Sequence, residues 1–173
     1  MQDFLVVVDM QNDFIDGALG SDMAGAIVEG VAEKIASFAG GVIFTRDTHT
    51  DSYLDTREGR LLPVPHCIKG TEGWQLHPKI KEVAGAHPII DKPTFGSTEL
   101  ASRLLEENER EKIGEVTLVG LCTDICVISC AMLVKATLPE AEVTVISHLC
   151  AGVSEESHKT ALSAMKACQI NVK

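Results

Sequence analysis

The sequence has no long hydrophobic run. Within its 173 residues the most apolar stretches, FLVVV at 4–8 and VTLVGLC at 116–122, fall far short of the ~20 residues that cross a bilayer. A helical membrane protein is therefore excluded, and the mean hydropathy of +0.14 belongs to a buried core. A basic excess is also missing. The chain carries 15 Lys and Arg against 25 Asp and Glu, a formal net charge of −10, so it has no electropositive footprint for nucleic acid or an anionic membrane. No basic segment followed by an apolar one opens the chain as a secretory signal would. With no such signal, the six cysteines read as reduced thiols of a cytoplasmic protein rather than a disulfide framework. Low-complexity tracts, repeats and flexible linkers are lacking, and 173 residues fit one domain spanning 1–173.

What is present is an alternation. Residues 4–8 form a continuous Val-rich run, the pattern of a strand buried on both faces in a parallel sheet. Shorter runs at 42–45, 88–90, 116–119, 143–146 and 170–172 repeat it. Between them lie helical periods. Ile27, Val28, Val31, Ile35 and Phe38 share one face of a helix that Ser21 or Asp22 caps and Gly40-Gly41 ends. Leu100, Leu104 and Leu105 mark a second helix, 123–137 a third with Thr123 as N-cap, and 154–167 a fourth with Ser154 as N-cap. Strands alternating with helices predict right-handed crossovers and a parallel α/β sheet covered on both sides. The stretch 47–77 has no period, yet it holds the only Trp, the only Tyr and three of the six His. Long aperiodic loops in compact domains are usually functional or disordered.

In such sheets ligands bind beyond the carboxyl ends of the strands. There the first strand delivers Asp9, the second Arg46-Asp47-Thr48-His49, the third Asp91-Lys92, and the fourth Cys122-Thr123-Asp124-Ile125-Cys126. Asp9 directly follows an apolar run, so it is expected to be partly buried and to need a partner. Cys126 falls in the first turn of the predicted third helix, where the positive end of the helix dipole favours a thiolate. Asp47, His49 and His66 form a carboxylate and two imidazoles, a donor set suited to zinc, iron or manganese. Cys122 and Cys126 have no second cysteine pair, which argues against a four-cysteine zinc site. His77, His87, His148 and His158 lack comparable spacing and read as surface or structural.

With these residues in view, the chain resembles the isochorismatase-like cysteine hydrolases, and among them the nicotinamidase branch. The similarity runs over essentially the whole length, through VVVDMQNDFIDGALG near the start, TRDTH at 45–49, PHCIKGTEG at 65–73, KPTFGS at 92–97 and GLCTDICV at 120–127. The resemblance implies a three-layer α/β/α sandwich around a six-stranded parallel sheet. It also implies a catalytic triad of Asp9, Lys92 and Cys126, with Lys92 lowering the thiol pKa and Asp9 shuttling its proton. Backbone amides of Cys122 and Cys126 would form the oxyanion hole, beside a non-proline cis peptide that precedes Cys122. The divalent metal, with zinc the leading candidate, would sit on Asp47, His49 and His66 and orient the ring of a small amide substrate. No organic cofactor is implied. Phe14 and Trp74 are the aromatics expected near the pocket, while Cys130, Cys150 and Cys168 are expected as buried thiols.

Two departures bear on the substrate. Where nicotinamidases often carry Trp-Pro before the histidine, this chain has Pro63-Val64-Pro65, and His148 stands where many relatives place an acid after the fifth strand. The leading expectation is an amidohydrolase converting nicotinamide to nicotinate and ammonia. An alternative keeps hydrolysis but acts on isochorismate or an N-carbamoyl compound, members of that kind generally lacking the metal set. A third reading is a non-catalytic scaffold. Homo-oligomerisation stays open.

Overall fold

A computed structural model describes residues 1–173. Its strands are β1 (Gln2–Val8), β2 (Gly41–Asp47), β3 (Ile89–Lys92), β4 (Ile113–Leu121), β5 (Glu142–Ala151) and β6 (Asn171–Val172). They form one sheet in the order β3-β2-β1-β4-β5-β6, and every neighbouring pair is parallel. The helices are α1 (Asn12–Ile15), α2 (Asp22–Ser37), α3 (Arg57–Leu61), α4 (Pro78–Ala84), α5 (Thr98–Arg110), α6 (Ile128–Thr137) and α7 (Glu155–Ala167). None of them is long and apolar enough to cross a membrane.

The Val-rich run explains the layering. Side chains alternate along a strand, so Leu5 and Val7 enter one core with Ile27, Val31 and Ile35 of α2 and Ile80 of α4. Phe4, Val6 and Val8 enter the other with Leu100 and Leu104 of α5, Val134 of α6 and Met165 of α7. This is the expected sandwich, with β1 central and apolar on both faces. Leu105 does not share the buried face of α5; it is 41% exposed.

Capping follows the expected chemistry at three helices. Ser21 accepts from Ala24 N at the start of α2, Ser97 from Leu100 N before α5, and Ser154 from Ser157 N before α7. The third predicted helix differs. Thr123 is not its N-cap: Thr123–Val127 form a π-helical turn that passes into α6, Cys122 takes the cap position, and Thr123 Oγ1 pairs with His158 Nδ1 at 2.8 Å. The short helix α4 escaped the periodicity reading because it has only seven residues, although Pro78 at its first turn is a start signal. The strand β5 runs to Ala151, so His148 lies inside it and faces solvent rather than following it. Its pairing with β4 slips between Leu118 and Gly120, which carries residues 146–149 past the regular ladder. Cys168 caps the end of α7 and is exposed, contrary to the expectation of a buried thiol.

The point at which the strand order reverses across the sheet falls between β1 and β4, where Val8 is paired to Gly120. Gly120 has φ +118, and a Cβ there would stand 2.1 Å from Val8 O. Replacing Gly120 by Ala must move the β1 backbone just below Asp9. Gly120→Ala is expected to destabilise the protein by about 3 kcal/mol, read as a lowered midpoint in urea denaturation.

Candidate active site

Parallel register aligns the strand ends on one rim. The last pair of β2 and β3 is Asp47 with Lys92, and Val8 is paired to Thr45, so Asp9 emerges beside Thr45, Asp47 and Lys92. The chain turns sharply at Asp9, which has φ 48, a left-handed conformation that non-glycine residues seldom adopt. Lys92 Nζ stands 2.6 Å from Asp9 Oδ2, 3.3 Å from Cys126 Sγ and 3.1 Å from Thr94 O. The three residues expected as a triad are thus brought together, and they are only 0%, 1% and 4% exposed for Asp9, Lys92 and Cys126.

Charge in this cluster is distributed differently from the expectation of an ionised sulfur. Burial, then the Asp9 carboxylate, push the Cys126 thiol well above its ordinary range, and the Lys92 ammonium only partly opposes them. Burial works against the ammonium of Lys92, but Asp9, Cys126 and Asp47 outweigh it and hold Lys92 protonated. Burial likewise raises Asp9, against the pull of Lys92. Lys92 is thus a cation in contact with both the carboxylate and the sulfur, and its downward pull on the thiol is opposed by burial and by Asp9.

Beside this centre, Asp47, His49 and His66 converge as expected and a fourth residue joins them. One ligand atom from each of Asp47, His49, Glu58 and His66 lies within 4.8 Å of the others. His49 Nε2 is 3.0 Å from Asp47 Oδ2 and 3.5 Å from Glu58 Oε1; for His66 Nε2 the distances are 3.4 and 3.9 Å. His66 Nδ1 is 2.8 Å from Val64 O. A carbonyl can only accept, so Nδ1 carries a hydrogen and Nε2 faces the cluster. Asp47 Oδ1 is buried without a hydrogen-bond partner. Two nitrogens, two carboxylates and an orphaned oxygen fit a divalent cation such as zinc, iron or manganese. Burial acts to raise Asp47, but hydrogen bonds from His49 and His66 and the charge of Lys92 hold it well below the usual carboxylate range, ready as a ligand.

The surrounding loop is held by polar contacts. His49 N donates to Cys67 O and Lys69 N to His49 O, both at 2.9 Å, which zips the two histidine segments together. Cys67 is also left-handed, φ 47, and its amide donates to Asp13 Oδ2 at 2.7 Å. The Tyr53 ring packs 4.7 Å from His49 and 5.0 Å from His66, with its hydroxyl donating to Leu62 O. Gln11 is buried, accepts from Asp47 N and donates to Asp47 O and Trp74 O. Sequence reasoning missed Glu58, Gln11, Tyr53 and Thr45. Glu58 lies on α3, whose five residues show no period, and its only signal was an acid within the histidine-bearing loop.

Phe14, half-buried with its ring 5.5 Å from His66, flanks the metal cluster. Trp74 is buried, its indole N–H donates to Thr48 Oγ1, and Arg46 covers its ring at 3.7 Å while pairing with Asp91. The Leu121–Cys122 peptide is cis, as the resemblance implies, and Cys122 O accepts from the amides of Ile125 and Val127.

A buried acid, ammonium and thiol thus lie on the rim of a parallel sheet next to four side chains that could hold a metal ion. The sequence pattern of the isochorismatase domain matches residues 3–172, and the chain belongs to that family. The isochorismatase family protein PncA of Bacillus subtilis is 32% identical over 94% of this chain and 93% of that protein. The crystal structure of a nicotinamidase/pyrazinamidase PncA from Bacillus subtilis superposes with TM-score 0.87 at 28% identity, covering 99% of both chains. That of the Pyrococcus horikoshii pyrazinamidase in complex with zinc gives 0.80 at 26% identity, covering 100% of this chain and 99% of that one.

If Glu58 is the fourth donor, its neutral amide must bind a cation less well. Glu58→Gln is expected to weaken zinc binding at least about ten-fold, measured by competition with a chelating dye.

Proposed function

We propose that this chain is a cysteine-dependent amidohydrolase that converts nicotinamide and water to nicotinate and ammonia through a thioester on Cys126. The observation that carries the reading is the Lys92 ammonium in contact with both Asp9 and Cys126. The activities for which the structural relatives are named, nicotinamidase and pyrazinamidase, point to a carboxamide on a nitrogen heteroaromatic ring. The quartet of Asp47, His49, Glu58 and His66 favours that reading over isochorismate or an N-carbamoyl substrate, and an intact buried triad argues against a mere scaffold.

Asp9 takes the thiol proton as Sγ attacks the amide carbonyl. Lys92 stays protonated and stabilises the sulfur as its charge develops. The oxyanion falls to the amides of Cys122 and Cys126, an arrangement in which one donor is typically worth ~3 kcal/mol. Asp9 then returns the proton to the leaving nitrogen and ammonia departs. A water molecule, deprotonated by Asp9, hydrolyses the thioester, and the sulfur recovers its proton. Asp47, His49, Glu58 and His66 would hold a divalent cation, which when bound would supply a Lewis acid for orienting a ring amide. Phe14 beside His66 offers an apolar edge to the ring. We place this activity in the cytoplasm, in keeping with six free thiols.

Ammonia release from a panel of small amides tests the substrate, with nicotinamide expected to lead. Cys126→Ala is expected to lose at least about 1,000-fold in kcat; full activity in that variant would sink the mechanism. Because Asp9 must be ionised and its pKa is raised, kcat/KM is expected to fall as pH drops, starting above the ordinary carboxylate value of 3.8. A pH–rate profile checks the sign.

A further inference from the structure

The Asp9 carboxylate has two oxygens, and the structure treats them differently. Thr45 Oγ1 lies 2.6 Å from Oδ1, and Lys92 Nζ lies 2.6 Å from Oδ2 and 3.3 Å from Cys126 Sγ. Oδ2 is therefore the oxygen on the thiol side, since one nitrogen touches both. Thr45 is wholly buried. Its hydroxyl is the donor in that contact, because an ionised carboxylate only accepts. The main chain adds a second tie, with Asp9 N donating to Thr45 O at 3.2 Å. Asp9 needs such ties because its left-handed backbone has left the strand ladder.

We propose that Thr45 is a positioning residue, whose hydroxyl occupies Asp9 Oδ1 and so reserves Oδ2 as the oxygen that takes the Cys126 proton and later gives it to the leaving nitrogen. This rests on the hydrolytic reading above. A proton placed on Oδ1 would point at the Thr45 hydroxyl hydrogen, and that hydroxyl would have to turn away. A proton on Oδ2 leaves the Thr45 bond intact and remains beside the sulfur and the scissile nitrogen. The step balances within the site: the S–H bond breaks as the O–H bond forms on Oδ2, and that O–H bond breaks as the ammonia N–H bond forms. Without the hydroxyl, Oδ1 loses its donor and the carboxylate is oriented by Lys92 alone.

Valine matches threonine in shape and lacks the hydroxyl, whereas serine keeps it. Thr45→Val is expected to lower kcat for nicotinamide hydrolysis by about 10- to 100-fold, the range for one hydrogen bond to a charged group, with KM changed less than about three-fold. Thr45→Ser should recover most of that loss. In parallel, the rate at which iodoacetamide modifies Cys126, followed by peptide mass mapping, should fall in Thr45→Val and recover in Thr45→Ser. A folded Thr45→Val protein with wild-type kcat and wild-type alkylation would overturn the proposal. So would a Thr45→Ser protein as slow as Thr45→Val, because the lost methyl packing would then be responsible. Should Thr45→Val not fold, Thr45→Ala carries the same expectations. If the wild-type protein releases ammonia from no amide, the substrate reading fails, and the alkylation rates alone decide the role of Thr45.

Discussion

The ion pair between Asp9 and Lys92 is the constraint on which the rim of the sheet depends. Both groups lie almost completely out of water, 0% and 1% exposed, where a lone charge is so unfavourable that removing one partner of such a pair typically costs 3–5 kcal/mol. The pair joins β1 to β3 across β2, so it forms only if both strand registers are correct. Lys92 donates to Thr94 O and Cys126 Sγ and forms its ion pair with Asp9 Oδ2. The sulfur is thereby held next to a cation.

A second charge balance sits beside the first. Lys92 Nζ is 3.9 Å from Asp47 Oδ1, which links the triad to the cluster of Asp47, His49, Glu58 and His66. Three carboxylates, Asp9, Asp47 and Glu58, face one lysine, and the deficit is that of a divalent cation. The raised pKa values of Glu58 and His66 express the same imbalance: burial comes first for each, raising the acid and opposing the imidazole, and Asp47 raises both. The metal-ligand geometry and the electrostatics of the triad thus answer to one distribution of charge.

Much of this was legible in the chain because apolar pattern and strand ends carry it. A five-residue apolar run reads as a strand buried on both faces, and β1 has Leu5 and Val7 in one core and Val6 and Val8 in the other. Asp9 directly follows such a run and is buried, while Asp47 and Lys92 could be nominated as groups at the carboxyl ends of the second and third strands. Glu58 could not, because α3 and the 3-10 turn Tyr53–Asp55 are too short to show a period and their placement depends on tertiary contacts. The π-helical turn at Thr123–Val127 has the same apolar content as an α-helix, so its different geometry, and the loss of Thr123 as a cap, left no trace in composition. Lys92 does pull the Cys126 thiol down as expected, but the opposing burial and the nearness of Asp9 come only with the packed fold.

Gln11 shows how the two centres are kept in step. Its side chain reproduces the pairing of a neighbouring strand, accepting from Asp47 N and donating to Asp47 O, and it adds a bond to Trp74 O. Gln11 N also closes a tight turn on Asp9 O at 2.8 Å. The exit of β1, the last residue of β2 and the loop beyond His66 are therefore joined by hydrogen bonds. A displacement of the β1 exit moves the Asp9 and Asp47 carboxylates together. Left-handed backbone appears within this same unit, at Asp9 and at Cys67 next to His66, where neighbouring hydrogen bonds hold it in place. At both positions the left-handed residue stands where the direction of a carboxylate or an imidazole is set.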